Sequence, residues 1–285
     1  MLTAWALSCG HRHTVAETDW KKENLKGKVK VVYEKRFFLD STGVLQDSSR
    51  WNKIDSFPNL TLTFNNLGYL VERIEEPCFF GGGTTWYVYD ETNTKLQKIV
   101  HSANMDSGSA VSLFSYNKRG CLKQKISTYP DPFTNKKDSI VVNFVCDANG
   151  NIIKKIDNDV NDTNDVYFIR KYNHLNQVIE ETKFDLDDHT PRTKLVNQYD
   201  DNGNMIYSAF MHLDGTRWGW VLTASYDDHG NLLKEESIYN HDGTPWKPAI
   251  SYYRYEYDSL GNWIQKILTE NGKDKEVTRR KIIYW

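Results

Sequence analysis

YDDNGNMIYSAFMHLDGTRWGW (residues 199–220) and YDDHGNLLKEESIYNHDGTPWKP (226–248) carry one pattern twice. Asp200, Asn202–Gly203–Asn204, Asp214–Gly215–Thr216 and Trp218 return as Asp227, His229–Gly230–Asn231, Asp242–Gly243–Thr244 and Trp246. Anchored on the Asx residue of the Tyr-Asp pair, the pattern extends over most of the chain. Asn65, Asp90, Asn117, Asp147, Asn173, Asp200, Asp227 and Asp258 stand 25 to 31 residues apart. Three residues after each comes Gly68, Asn93, Gly120, Gly150, Asn176, Gly203, Gly230 or Gly261. Glycine and asparagine are the residues that accept positive φ most readily. The pattern therefore reports a left-handed residue closing a tight turn, with the Asx carboxyl or amide placed to bond amides two residues on.

Strands flank these turns. Before each anchor stands Phe64, Tyr89, Tyr116, Cys146, Tyr172, Tyr199, Tyr226 or Tyr257, and apolar and polar residues alternate behind it, as in Leu62-Thr63-Phe64. Period two with one apolar side is the mark of a sheet with one covered face. Apolar pairs such as Ile152–Ile153 and Leu232–Leu233 open the strands that follow. A second set of turn signals falls midway between anchors, at 130–132, 186–188, 213–215, 241–243 and 270–272. Turns alternating at two edges make a meander of hairpins. The expected fold is all-β: tandem antiparallel β-hairpin repeats forming a curved meander, a spiral sheet or an open barrel. Residues 23–285 form one domain of eight units, opened by a strand in 25–38 and closed by one in 278–285.

The chain has 285 residues with 36 Lys and Arg against 38 Asp and Glu, a balance that argues against a nucleic-acid partner, which needs a basic face to neutralise phosphates. No apolar run approaches the roughly 18–20 residues that span a bilayer as a helix. Residues 1–22 read as a signal remnant and tether: LTAWALSC ends in small residues and Cys9, as a bacterial lipoprotein signal does, and Cys9 is the candidate lipidation site.

Y-D-x-x-G-N followed by two apolar residues resembles the YD repeat of RHS-type repeat proteins. NLKGKVK (24–30) and TRRKIIYW (278–285) are similar to segments of YD-repeat lipoproteins of Bacteroidetes-type bacteria. The resemblance covers roughly residues 60–275. It implies a hairpin sheet in a cell-envelope protein, outer-membrane-anchored or secreted. In large members such hairpins wind into a hollow shell around a toxin; eight units are few for such a shell, so a curved sheet, spiral or open barrel is expected here, and the sequence leaves open whether the sheet closes.

Few residues suggest chemistry. Cys121 and Cys146 flank a hairpin centred on PDPFTN (130–135), and a small shift of its centre faces them across neighbouring strands. They form either a disulfide, which suits an exported protein, or two half-buried thiols. DNDVNDTND (157–165) and FDLDDH (184–189) alternate oxygen ligands but lack the calcium-loop glycine and glutamate, and read as solvated loops. Gly81–Gly82–Gly83 lacks the Lys-Ser/Thr of a phosphate loop and reads as a second-edge turn. Asp200–Asp201 and Asp227–Asp228 are adjacent pairs whose members point to opposite faces, and a turn former recurs where a catalytic acid is needed once. The histidines show no metal-ligand spacing. No catalytic residue, metal or cofactor is expected. Trp218 and Trp246, with Trp220 and Trp263 nearby, either form a platform for sugar rings or cover the sheet edge. The expected function is a non-enzymatic surface for an envelope glycan or partner protein, touching membrane only through a lipid anchor. The alternatives are a glycan-active enzyme or accessory using an acidic groove, and an immunity or toxin-shielding protein.

Overall fold

The computed structural model describes residues 18–40, 42–47, 59–78, 81–103, 108–130, 137–159, 166–213, 217–241, 244–245 and 247–285. At all eight anchors the turn is the one its residues require. The residue three places on has positive φ, from 55° at Asn93 to 89° at Gly68 and Gly203, and its N–H donates to the anchor's carbonyl. At Asp200, one carboxylate oxygen accepts the amides of Asn202 (3.0 Å) and Asn204 (2.8 Å), and the same pair of bonds recurs at Asn65, Asn117, Asp147, Asn173, Asp227 and Asp258. A short polar side chain thus satisfies amides that a two-residue hairpin would leave to water.

One short helix and twenty strands make up the described chain. They are α1 (Asp19–Lys22), β1 (Val29–Leu39), β2 (Leu45–Asp47), β3 (Leu60–Phe64), β4 (Leu70–Cys78), β5 (Gly81–Tyr89), β6 (Leu96–Ala103) and β7 (Ser109–Tyr116). Next come β8 (Leu122–Pro130), β9 (Lys137–Cys146), β10 (Ile152–Asp159), β11 (Val166–Tyr172), β12 (Val178–Asp185), β13 (Pro191–Tyr199) and β14 (Met205–Met211). The last are β15 (Arg217–Tyr226), β16 (Leu232–His241), β17 (Thr244–Pro245), β18 (Ala249–Tyr257), β19 (Trp263–Glu270) and β20 (Lys273–Tyr284). Every pairing is antiparallel, each strand beside its sequence neighbour except where β2 and β17 are passed over. Gly81–Gly83 lies inside β5, not in a turn: Gly82 and Gly83 hold φ of 126° and 155° within the strand opposite β4.

The sheet closes. β1 pairs with β3 on one side and with β20 on the other, in register Glu34↔Arg280 and Val32↔Ile282, so eighteen of the described strands form a ring. The antiparallel hairpin meander is the one the repeats imply, and the structure decides the point they left open, whether the sheet closes. The two flanking strands, which carry no repeat, supply the joint and leave no unpaired edge to aggregate.

Consecutive hairpins are also fastened side chain to backbone. Tyr199 Oη donates to the carbonyl of Val178 at 2.9 Å, and Val178 opens the second strand of the preceding unit. Tyr89, Tyr116, Tyr172 and Tyr226 do the same to Leu70, Leu96, Ile152 and Met205 at 2.7–3.0 Å. Burial of Tyr199 and Tyr226 raises their phenol pKa, so the proton stays available to donate. Where the unit anchored at Asp147 has Cys146 instead of tyrosine, its sulfur is bonded to Cys121, the Cα atoms 6.6 Å apart. The β8–β9 register Lys125↔Val142, carried to the rim, sets the two cysteines opposite each other. The disulfide stands where the tyrosine bond stands elsewhere, with Cys146 Sγ 3.8 Å from the carbonyl of Leu122.

Candidate functional site

A ring of eighteen strands spaced about 4.8 Å apart has a circumference of about 86 Å, too wide for side chains to fill. Such a ring has an inner wall as well as an outer one. Parity identifies the inner one. Along β1, Val32 and Glu34 are buried between Val31, Tyr33 and Lys35, and the register puts Glu276, Thr278 and Arg280 of β20 on the same face, with Val277 buried on the other. Side chains converging on a concave wall shield one another, so the shielded set faces the lumen.

The only hydrophobic cluster among the described residues lies at the seam, where Leu25, Val29, Val32, Leu62 and Phe64 pack with Trp20, Leu70 and Tyr284. It is held under a strap formed by α1 and residues 23–28. Trp20 donates its amide to Gly68 and its indole N–H to Val29 (2.8 Å), Asp19 accepts from the Leu70 amide (2.7 Å), and Asn24 donates to the His229 carbonyl (2.7 Å). Lys26 and Asn262 exchange two bonds of 2.6 and 2.9 Å. The strap therefore ties the rim at β3–β4, β15–β16 and β18–β19 together. Gly68 serves twice: its φ of 89° closes a turn, and a Cβ there would stand 2.5 Å from the Trp20 ring.

Beneath the strap the lumen wall is charged. Arg280 donates to Glu34 at 2.8 Å, both side chains only 6–7% exposed, and its guanidinium lies 3.5 Å from the centre of the Trp263 ring. Thr278 donates to Glu276 at 2.8 Å. Burial alone would raise the Glu34 pKa, but attraction to Arg280 and its hydrogen bond win and hold it below the usual carboxylate range. Glu23, on the strap, shifts the other way. Burial raises it and Arg280 opposes, while Glu34 adds repulsion and Arg73 a further attraction, so the carboxyl stays above its usual range. Lys266 is pushed down by burial, against the pull of Glu276 and Glu34.

The two glutamates act on stability with opposite sign. Glu34, lowered in the fold, contributes stability above the ordinary carboxylate pKa and loses it as pH falls through its folded value. Glu23, raised, contributes stability that is complete below the ordinary value and lost as pH rises through its folded value. Acidifying from neutral should therefore first stabilise the protein and then destabilise it. Glu23→Gln should lessen the decline on the neutral side, to which Glu235, also raised by burial, contributes the rest, and melting temperatures at several pH values for both proteins check this; an unchanged decline would refute the assignment to Glu23.

The sequence-derived candidates fare unequally. Trp263 is buried under Arg280 and beside Tyr255, with ring centres 6.1 Å apart. Trp220 is half-buried on the lumen side of β15, edge-on to Phe210 at 5.4 Å. Trp263 follows an anchored turn, whereas Trp220 sits toward the opposite rim, so these two do not stand side by side. Trp246 and Cys9 lie outside the described residues, and of Trp218 only the backbone in β15 is described. Asp200 and Asp227 are occupied by turn amides. Among the described residues no three His, Cys, Asp or Glu side chains are grouped to hold a metal. The Glu34–Arg280–Trp263 group was missed because it joins the two strands without repeats. Its one signal was charged residues, Glu34 and Arg36, at the same parity as Val32.

No protein family and no curated protein matches this sequence. Likenesses come from solved structures. A porin-like protein from Bacteroides uniformis shares 11% identity at a TM-score of 0.45, over 90% of this chain and 98% of that one. A porin-like protein from Bacteroides vulgatus shares 12% at 0.37, over 91% and 99%. A TcdB2–TccC3 structure shares 10% at 0.28, over 82% of this chain and 16% of that one.

Proposed function

We propose that the protein is a non-enzymatic component of a bacterial cell envelope whose hairpin barrel binds a glycan within its lumen. The observation that carries this reading is the wide inner wall, lined with half-buried aromatic and charged side chains. Ligand sites combine such aromatic surface with a few polar groups that fix orientation. The Cys121–Cys146 bond supports an oxidising compartment outside the cytoplasm. The outward face supports a barrel standing in water and reached by lipid only at Cys9. Glu180, Lys194, Lys234, Glu236 and Arg254 lie mid-strand on that face, where burying an Arg or Lys at a bilayer midplane would cost about 2–4 kcal/mol each.

A glycan array probed with the full chain and with a Phe144→Ala, Phe168→Ala variant tests the reading. Binding by the native chain that the variant loses while keeping its melting temperature supports it. Absence of any glycan ligand refutes it and leaves a scaffolding role for protein partners.

Half-buried Glu23 and buried Glu34, with pKa values pushed in opposite directions, favour a second reading as a glycan-active enzyme. Glycan cleavage abolished by Glu23→Gln would establish it in place of the first.

A further inference from the structure

We infer that the protein pairs with a second copy of itself through the outer wall of β4–β7. This face lies on the other side of the sheet from the lumen, so the inference is independent of the glycan reading. The register sets Trp86, Val100 and Val111 in one outward row and Val88, Lys98 and Leu113 in the next. Trp86, Val88 and Leu113 are 41%, 45% and 50% exposed. Across the barrel the outward wall is different, with Glu180 paired to Lys171 and Lys194 and Glu236 paired to Lys234. A contiguous apolar patch on a wall otherwise suited to water marks a contact surface.

Two charges decide what covers it. Among the outward neighbours of Trp86, Glu72 stands directly across on β4 and Lys98 diagonally across on β6, and these alone are charged. Glu72 accepts the Trp86 indole N–H at 3.1 Å. Lys98 makes no hydrogen bond or ion pair with any described residue. The two positions are about 12 Å apart, two strand spacings across and two residues along. A twofold axis crossing β5 between Trp86 and Val88 exchanges them. Lys98 of each copy then meets Glu72 of the other, and Trp86 packs near Val100. Such self-complementarity is what an isologous contact requires. Lipid would have to take in both charges without giving either a partner.

The area sets the strength. Each strand turns the wall by about 20°, so two convex barrels touch over about four strands. With strands about 4.8 Å apart and the eight residues of β7 rising about 3.4 Å each, the contact covers about 500 Å² on each copy. A total of about 1,000 Å² is the least that a specific interface uses, so the pairing is reversible and not obligate.

Sedimentation velocity of the full chain over a wide range of concentration is the test. The native chain should pass from monomer to dimer, and the dimer should weaken as salt rises. Lys98→Glu and Glu72→Lys should each weaken it about tenfold or more, because either change sets like charges face to face. Glu72→Lys combined with Lys98→Glu should restore an affinity close to the native one. Leu113→Gln should weaken the dimer severalfold and leave its salt dependence unchanged, and melting curves confirm that each variant folds. A native chain that stays monomeric at the highest concentration would overturn the inference. A dimer indifferent to both single reversals, or one that the double reversal does not restore, would place the contact elsewhere and overturn it too. Binding to phosphatidylcholine vesicles that Leu113→Gln abolishes would assign the patch to lipid in place of a second copy.

Discussion

Arg280→Ala should destabilise the barrel by about 3–5 kcal/mol, the loss expected when one member of a buried ion pair is removed. The alanine leaves Glu34 buried without its guanidinium and uncovers the Trp263 ring on which Arg280 lies. Because Glu34 and Arg280 face each other on β1 and β20, the damage falls on the joint of the ring. Urea unfolding at neutral pH measures it. The loss should shrink at acid pH, where Glu34 takes up a proton in either protein. Glu34→Leu with Arg280→Met should cost far less than Arg280→Ala alone, since replacing both charges removes the desolvation penalty together with the attraction. A loss below about 1 kcal/mol for Arg280→Ala would mean that water reaches the pair and that the seam is held by Val29, Val32 and Leu62 alone.

Reduction of the Cys121–Cys146 bond is the second large effect. For a sequence separation of 25 residues, the loop-entropy estimate is about 3.5 kcal/mol. That corresponds to about 1 M in the urea midpoint at a slope of roughly 3 kcal/mol/M. Cys121→Ser with Cys146→Ser should reproduce the reduced protein. Cys121→Ser with Cys146→Tyr should recover about 1 kcal/mol, one hydrogen bond's net worth, because the new hydroxyl is placed to reach the Leu122 carbonyl. If the tyrosine gives no more than serine, position 146 is not equivalent to 172 or 199 and the comparison between units fails there.

Much of this architecture was legible from residues 199–248. The turn at each anchor depends on one left-handed residue and one Asx side chain, both local, and each leaves a fixed trace in the sequence. Gly81–Gly83 misled because glycine also occupies positive φ inside a strand. The tyrosines were read as the apolar side of a strand, whereas their hydroxyls reach about twenty residues back, a contact that spacing alone does not reveal. Closure was illegible for a related reason. The Glu34↔Arg280 register joins residues 246 apart, and nothing in either strand repeats to announce its partner. Alternation divides each strand into two faces but does not say which is concave. The Trp86–Val100–Val111 row emerges only once β5, β6 and β7 are in register.

The tyrosine bond also has a consequence for how such chains can vary. The tyrosine of each hairpin grips the hairpin before it, while the Glu34–Arg280 pair at the seam lies on strands that carry no repeat. Interior units between Asp90 and Asp200, which the strap does not touch, can therefore be gained or lost with the same tyrosine joint re-formed at each new boundary. Each added hairpin lengthens the circumference by about 10 Å, so gene duplication can tune the bore of the barrel in discrete steps while keeping the strand number even.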